Sequence, residues 1–309
     1  MTSGRLLPPG ASSLSVPLGG GLVRTLHAGV PGPRPPLVLV HGGGTDAAAL
    51  SWYRALPALA VDREVWALDL PGFGATTGIA PLGRPEAMAD LVARWMGGLG
   101  LAPAVAVGVS MGGDVVLNLA LRSPRLLRGL VLVAPGGLVG SVGRPLVHRA
   151  AWAFSRLPDP VLLRLAAAAN RFSRTALRAM VHDPATVPAE VVEEFVRVAR
   201  EPRSAEGYLR YNQSTLGPGG MTNQLLGRVG RVELPALFVH GQRDRLVPVE
   251  GSRSAVRRMP HARLVELPDV GHWAQLEAHE RFVHEVRRFL AELAELPEPE
   301  ATDGQPTSE

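Results

Sequence analysis

Six short runs of the chain are apolar without strict alternation: Leu37–His41, Glu64–Leu70, Ala104–Val109, Gly129–Ala134, Ala236–His240 and Arg263–Leu267. Runs of this length, rich in Val, Leu and Ala, are typical of strands covered on both faces, and such strands belong to parallel sheets. Between several of them, apolar positions recur at helical spacing over Pro85–Leu99, Gly112–Arg122 and Gly251–Met259. Alternating strand and helix signals predict an α/β fold with a mostly parallel, doubly wound sheet. Leu22–Ala28 reads as an additional N-terminal strand.

The alternation lapses once. From 140 to 225 there are helical patterns, such as Val161–Phe172 and Pro188–Arg200, and no strand pattern. A connection that long needs helices of its own. It predicts a helical cap inserted between two parts of one core, residues 1–139 and 226–295. The last stretch, Leu296–Glu309, is acidic and proline-containing and reads as a disordered tail.

Composition narrows the chemistry. At 309 residues, 46% apolar and 19% charged, the chain has ample material for the core of one large α/β domain with an insertion. It has no cysteine, which excludes disulfides, thiolate metal sites and a cysteine nucleophile. All 32 basic residues are arginine, so a lysine Schiff base and a P-loop lysine are excluded as well. The net charge of +4 comes from scattered arginines with few aromatics, a pattern that does not predict a nucleic-acid partner. Prolines and glycines break up Met1–Gly21, and charges and prolines break up Trp152–Ala169, so neither reads as a signal peptide or a membrane span. The expectation is a cytoplasmic protein without a membrane partner.

The most informative segment is Gly108-Val109-Ser110-Met111-Gly112-Gly113, directly after one predicted strand and directly before a helix. Small residues at 108 and 112 permit a tight strand-to-helix turn that exposes the Ser110 hydroxyl at the sheet edge. A serine needs a base. Of nine histidines, His272 lies in the loop after the last predicted strand, which emerges at the same edge as Ser110. His240 ends a strand and reads as structural; His279 and His284 read as a solvated helix face. The base in turn needs a carboxylate, and Asp244, after the preceding strand, fits better than Asp269, which lies only three residues before His272. The nucleophile–acid–base order is then Ser110, Asp244, His272. A fourth piece, His41-Gly42-Gly43-Gly44, offers bare backbone after a strand. The N–H groups of Gly43 and Met111 are the candidate oxyanion donors. Gly42, Val109 and Trp273 are candidate substrate contacts. This chemistry uses no metal and no cofactor.

Together these motifs resemble the α/β-hydrolase superfamily over roughly Leu22 to Leu293, with Asp69-Leu70-Pro71-Gly72-Phe73-Gly74 as a further match. The segment Gly271-His272-Trp273-Ala274-Gln275-Leu276-Glu277 is similar to meta-cleavage product hydrolases, which cleave a carbon–carbon bond in vinylogous diketo acids. That subfamily has a polar residue where Val109 stands and an asparagine where Trp52 falls; Arg174 and Arg178 are candidates for its carboxylate-binding cap arginine. The resemblance implies hydrolysis of a small-molecule ester or related acyl substrate through an acyl-enzyme. Carbon–carbon hydrolysis is the alternative, and a cofactor-free haloperoxidase or a non-catalytic ligand-binding relative are more distant ones. It leaves a homodimer open.

Overall fold

The computed structural model describes residues 5–297, so the predicted tail falls outside it from residue 298 onward. Eight strands form one sheet: β1 (Ser12–Leu18), β2 (Gly21–Ala28), β3 (Leu37–Val40), β4 (Val65–Leu68), β5 (Ala104–Val109), β6 (Leu127–Val133), β7 (Ala236–Gly241) and β8 (Ala262–Leu267). Their order is β1-β2-β4-β3-β5-β6-β7-β8. Strands from β4 to β8 are parallel, and β1 and β2 form an antiparallel hairpin whose second strand pairs antiparallel with β4.

The six runs and Leu22–Ala28 are all strands, the last, β8, only half-buried, and β1 is the one the pattern missed. Ser12-Ser-Leu-Ser-Val-Pro-Leu is mostly exposed and carries Pro17, as suits an edge strand. It is held in register by the Gly19-Gly20 turn, both residues at positive φ. The expected strand Glu64–Leu70 stops at Leu68, because Asp69 turns its carboxylate inward. That carboxylate accepts the N–H groups of Ala48 and Ala75, both at 2.8 Å.

Twelve α-helices accompany the strands among the described residues. α1 (Ala48–Ser51), α2 (Ala55–Leu59), α3 (Pro85–Leu99) and α4 (Met111–Arg122) precede β6. α3 starts with proline at its first position and ends at Gly100 with φ 68°, the stop that a left-handed C-cap supplies. Between β6 and β7 come α5 (Pro145–Ser155), α6 (Asp159–Ala169), α7 (Ser173–Met180), α8 (Ala189–Ala199) and α9 (Glu206–Thr215). α10 (Glu250–Val256), α11 (Ala274–Glu277) and α12 (His279–Ala294) follow.

Alternate strand residues feed two apolar cores, one on each face of the sheet. Leu37, Leu39, Val105, Val107 and Val109 pack with α1, α2 and α12. Val38, Val40, Ala104 and Ala106 pack with α3 and α4. This explains the near-continuous apolar runs, since both faces of each central strand are covered.

The chain leaves β3 toward β4 on one side and reaches β5 on the other, so the sheet changes direction between β3 and β5. A crevice at the carboxyl ends of the strands is expected at such a point. The register pairs Val40 with Gly108, and the segments that follow, Gly42 and Ser110, leave the sheet side by side.

Candidate active site

Ser110 sits between β5 and α4 with φ 55° and ψ −120°, a conformation that costs a non-glycine residue roughly 1–3 kcal/mol. The two glycines of the motif are required by close approach. A Cβ at Gly108 would lie 2.3 Å from the Gly112 carbonyl oxygen, and one at Gly112 would lie 2.2 Å from that of Val40. The Ser110 backbone is tied down from several sides: its N–H donates to Val133 O, and its carbonyl accepts the N–H of Gly136 at 2.8 Å. Its Oγ makes no hydrogen bond among the described residues.

His272 follows β8 and is buried. Its Nδ1 lies 2.7 Å from Oδ2 of Asp244, which follows β7. With Nδ1–H donating to that carboxylate, Nε2 carries the free lone pair and has no partner among the described residues. Asp244 Oδ1 accepts the backbone N–H groups of Leu246 and Val247 at 2.8 and 3.0 Å. Burial alone would raise its carboxyl, but hydrogen bonds from His240 and His272, with the backbone N–H of Val247, outweigh this and hold it far below the usual carboxylate range. Asp269 is different: its side chain is 70% exposed and pairs with Arg243 on the surface. His240 is more than a strand end. Its Nε2 is 3.3 Å from Asp244 Oδ2, the oxygen that His272 also contacts, and 2.9 Å from Val247 O, so it braces the carboxylate as a second histidine.

The glycine loop after β3 is anchored by groups that the motif did not reveal. His41 donates from Nδ1 to Gly42 O at 2.7 Å, and its Nε2 accepts the Leu70 N–H at 3.0 Å. Buried Asp46 accepts the Gly42 N–H at 2.8 Å, the Ala47 N–H and the Ser51 hydroxyl. Burial pushes the Asp46 carboxyl up, against the pull of His41 and these hydrogen bonds. Clamping Gly42 this way leaves the next N–H, that of Gly43, without a protein acceptor among the described residues. The same holds for the Met111 N–H at the start of α4. A Cβ at Gly42 would stand 3.5 Å from Ser110 Cβ, which places the loop beside the serine. Above it, the ring of Tyr208 on α9 lies so close that a Cβ at Gly43 would fall 2.4 Å from it.

The remaining sequence candidates divide. Gly42 lies beside Ser110. Val109 and Trp273 are fully buried in the apolar core, where Trp273 meets the ring of Phe195 edge-on at 5.9 Å, so both support the site's walls from behind. Trp52 is buried as well, and its Nε1 has no partner among the described residues. Arg174 and Arg178 on α7 are exposed. A cleft of about 430 Å³ runs from Asp46 past Phe73 and Ile79 to Val198 and Glu206; neither Ser110 nor His272 lines it.

Comparison with known proteins identifies the family of the fold. The model of the alpha/beta hydrolase fold family matches residues 35–279, and the chain belongs to that family. It is 31% identical over 274 residues to the dihydrolipoyllysine-residue acetyltransferase component of the acetoin cleaving system of Pseudomonas putida, covering 88% of this chain and 68% of that protein. It is 28% identical over 271 residues to the 2-hydroxy-6-oxo-6-phenylhexa-2,4-dienoate hydrolase of Burkholderia cepacia, covering 86% and 91%. Among solved structures, the 2-hydroxy-6-oxo-6-phenylhexa-2,4-dienoate hydrolase of Rhodococcus sp. strain RHA1 superposes with a TM-score of 0.75 at 26% identity, covering 91% of this chain and 99% of that one.

Proposed function

We propose that the chain is a serine hydrolase that cleaves carboxylic esters of small to medium apolar substrates through an acyl-enzyme. The observation that carries this reading is the 2.7 Å contact between His272 Nδ1 and Asp244 Oδ2 after β8 and β7, in a parallel sheet whose β5 ends at a serine held at φ 55°. In this reading Nε2 of His272 takes the Ser110 proton as Oγ attacks the ester carbonyl. The negative charge that develops on the carbonyl oxygen is met by the N–H groups of Gly43 and Met111. Collapse expels the alcohol, which takes its proton from His272 and leaves the acyl group on Ser110. Water, deprotonated by the same nitrogen, then releases the acid. Asp244 stays ionised throughout and stabilises the imidazolium. The helices of 140–225 serve as a cap, with Tyr208 as the part of it nearest the oxyanion donors.

Carbon–carbon hydrolysis of a diketo acid is the second reading. It is favoured by the names of several relatives, among them the hydrolases from Burkholderia cepacia and Rhodococcus. Such a substrate carries a carboxylate and passes through a dienolate, both of which need buried polar or cationic groups. The positions available for that role are apolar or displaced, because Val109 and Trp52 are buried and Arg174 and Arg178 face solvent. Each missing charge-assisted hydrogen bond costs roughly 1.5–3 kcal/mol. The ester reading therefore predicts that kcat/KM for p-nitrophenyl butyrate exceeds that for 2-hydroxy-6-oxo-6-phenylhexa-2,4-dienoate by at least about tenfold. Faster decay of the dienoate, followed by stopped-flow absorbance, would replace it with the second reading.

A further inference from the structure

Helix α5 has its apolar face on the outside. Leu146, Ala150, Ala153 and Phe154 recur at i, i+4, i+7 and i+8 and form one stripe, widened by Val147. All five are exposed, Leu146 by 81% and Phe154 by 50%. The residues that α5 buries are His148 and Ser155, on the opposite side. His148 Nε2 bonds Gly217 O at 2.9 Å, and its Nδ1 accepts the Val142 N–H. Ala151 and Trp152 are half-buried on that same side, so the residues fully covered are polar while the wider apolar stripe faces solvent, the reverse of the usual arrangement.

The pattern continues along the chain. Val161, Leu165 and Ala168 make a second exposed stripe on α6, where Leu162 alone is buried, and Phe172 beyond it is 70% exposed. Eight of the sixteen large apolar residues exposed among the described residues fall between Val142 and Phe172, about a tenth of the chain. That concentration exceeds the scatter expected on an ordinary surface.

Charge selects the occupant. Residues 142–178 hold seven arginines, at 144, 149, 156, 164, 171, 174 and 178, and one acidic residue, Asp159. Asp159 is already paired with Arg210 of α9 at 2.6 Å. On the helical wheel Arg149 and Arg156 flank the α5 stripe, and Arg164 flanks the α6 stripe in the same sense. Among the described residues none of the seven is paired with a carboxylate. A second copy of the chain would bring this face against itself across a two-fold axis and set arginine against arginine. Apolar stripes edged by unpaired arginines on short helices match the interface of an anionic bilayer, which receives the apolar side chains and attracts the guanidinium groups.

We propose that α5, α6 and the turn to Phe172 form a docking surface for membranes containing anionic phospholipid, so that the protein binds the bilayer by its cap side without spanning it. No described helix is long and apolar enough to cross a membrane, and surface binding requires none. This replaces the sequence-based expectation of no membrane partner, which rested on the lack of a spanning segment. It does not depend on which carbonyl substrate the site hydrolyses.

The test is co-sedimentation of the full chain with vesicles of phosphatidylglycerol and phosphatidylcholine in equal parts, beside vesicles of phosphatidylcholine alone. Binding to the anionic vesicles is expected, weakening as salt is raised. A triple variant, Leu146→Ser with Phe154→Ser and Phe172→Ser, is expected to lose about tenfold or more in partitioning. So is Arg149→Gln with Arg164→Gln and Arg171→Gln. All six side chains are exposed, so both variants should keep the melting temperature within a few degrees, which establishes that they are folded. Absence of binding, equal binding to neutral vesicles, or binding indifferent to both variants would overturn the proposal. So would a dimer in sedimentation velocity that the Leu146/Phe154/Phe172 variant dissolves, since the face would then belong to a second copy.

Discussion

The hydroxyl of Tyr211 donates to Oδ2 of Asp114 at 2.9 Å, a bond that joins α9 of the helical insertion to the helix that begins at the candidate nucleophile. Asn223 adds its amide to the same oxygen at 2.5 Å, and Asn118 donates to Oδ1 at 3.0 Å. The carboxyl lies one helical turn behind Ser110 and is wholly buried. Asp114 thus fastens α9 to the helix that follows Ser110.

Burial pushes the Asp114 carboxyl up to about 7, with Glu86 of α3 adding to it, while the hydrogen bonds from Asn223, Tyr211 and Asn118 work against the shift. The unfolded chain loses this proton near 3.8, so between about pH 4 and 7 the folded state holds a proton the unfolded state has lost. Its contribution to stability is full below that window and is lost as pH rises through about 7. Asp114→Asn removes the titration, so the melting temperature of the wild type should fall relative to that of the variant across the window. Parallel melting curves from pH 4 to 8 check this; curves that run parallel throughout would contradict it.

Replacing Ser110 by glycine separates strain from chemistry. Glycine adopts φ 55° without penalty, so Ser110→Gly should raise stability by about 1 kcal/mol while turnover falls by about 10³-fold or more. Denaturant unfolding beside an ester assay measures both. A variant both active and unchanged in stability would contradict the role given to Ser110.

The two carboxylates near the histidine should behave differently. Asp244→Asn should lower kcat by up to about 10⁴-fold, since an amide facing His272 Nδ1 favours the wrong tautomer. Asp269→Asn removes an exposed ion pair with Arg243, worth at most about 1 kcal/mol of stability, and should leave kcat within a few fold. Steady-state kinetics on both variants decide the assignment.

The glycines of the turn around Ser110 are steric requirements. Gly112→Ala would push a methyl group to 2.2 Å from the Val40 carbonyl oxygen, a rigid strand atom, so the protein should fail to fold or lose several kcal/mol. Gly97→Ala, within α3 and with open space around its Cβ, should be neutral or stabilising by about 1 kcal/mol. Thermal melting of both variants makes the comparison.

Much of this was legible in the sequence because the informative residues sit at strand ends. Ser110 and Asp244 each follow a buried apolar strand and His272 follows the half-buried strand β8, and parallel topology brings such ends to one edge. The strand β1 was not legible, since its side chains are mostly exposed and its partner is fixed by a turn of two glycines. The supports of the site were not legible either. Asp114 meets Tyr211 and Asn223 from about a hundred positions away, and Asp46 and His240 act through backbone groups whose placement exists only in the fold. The outward apolar face of α5 has the same spacing as a buried one; only packing reveals which side is covered.

If Ser110 is the nucleophile, an active-site phosphonate must find it. Incubation with an alkyl fluorophosphonate followed by peptide mass spectrometry should find one covalent adduct, on the peptide containing Ser110. The adduct should be absent from Ser110→Ala and slowed in His272→Ala, because the serine then lacks its base. An adduct on another residue, or none on a protein that still turns over esters, would contradict the account.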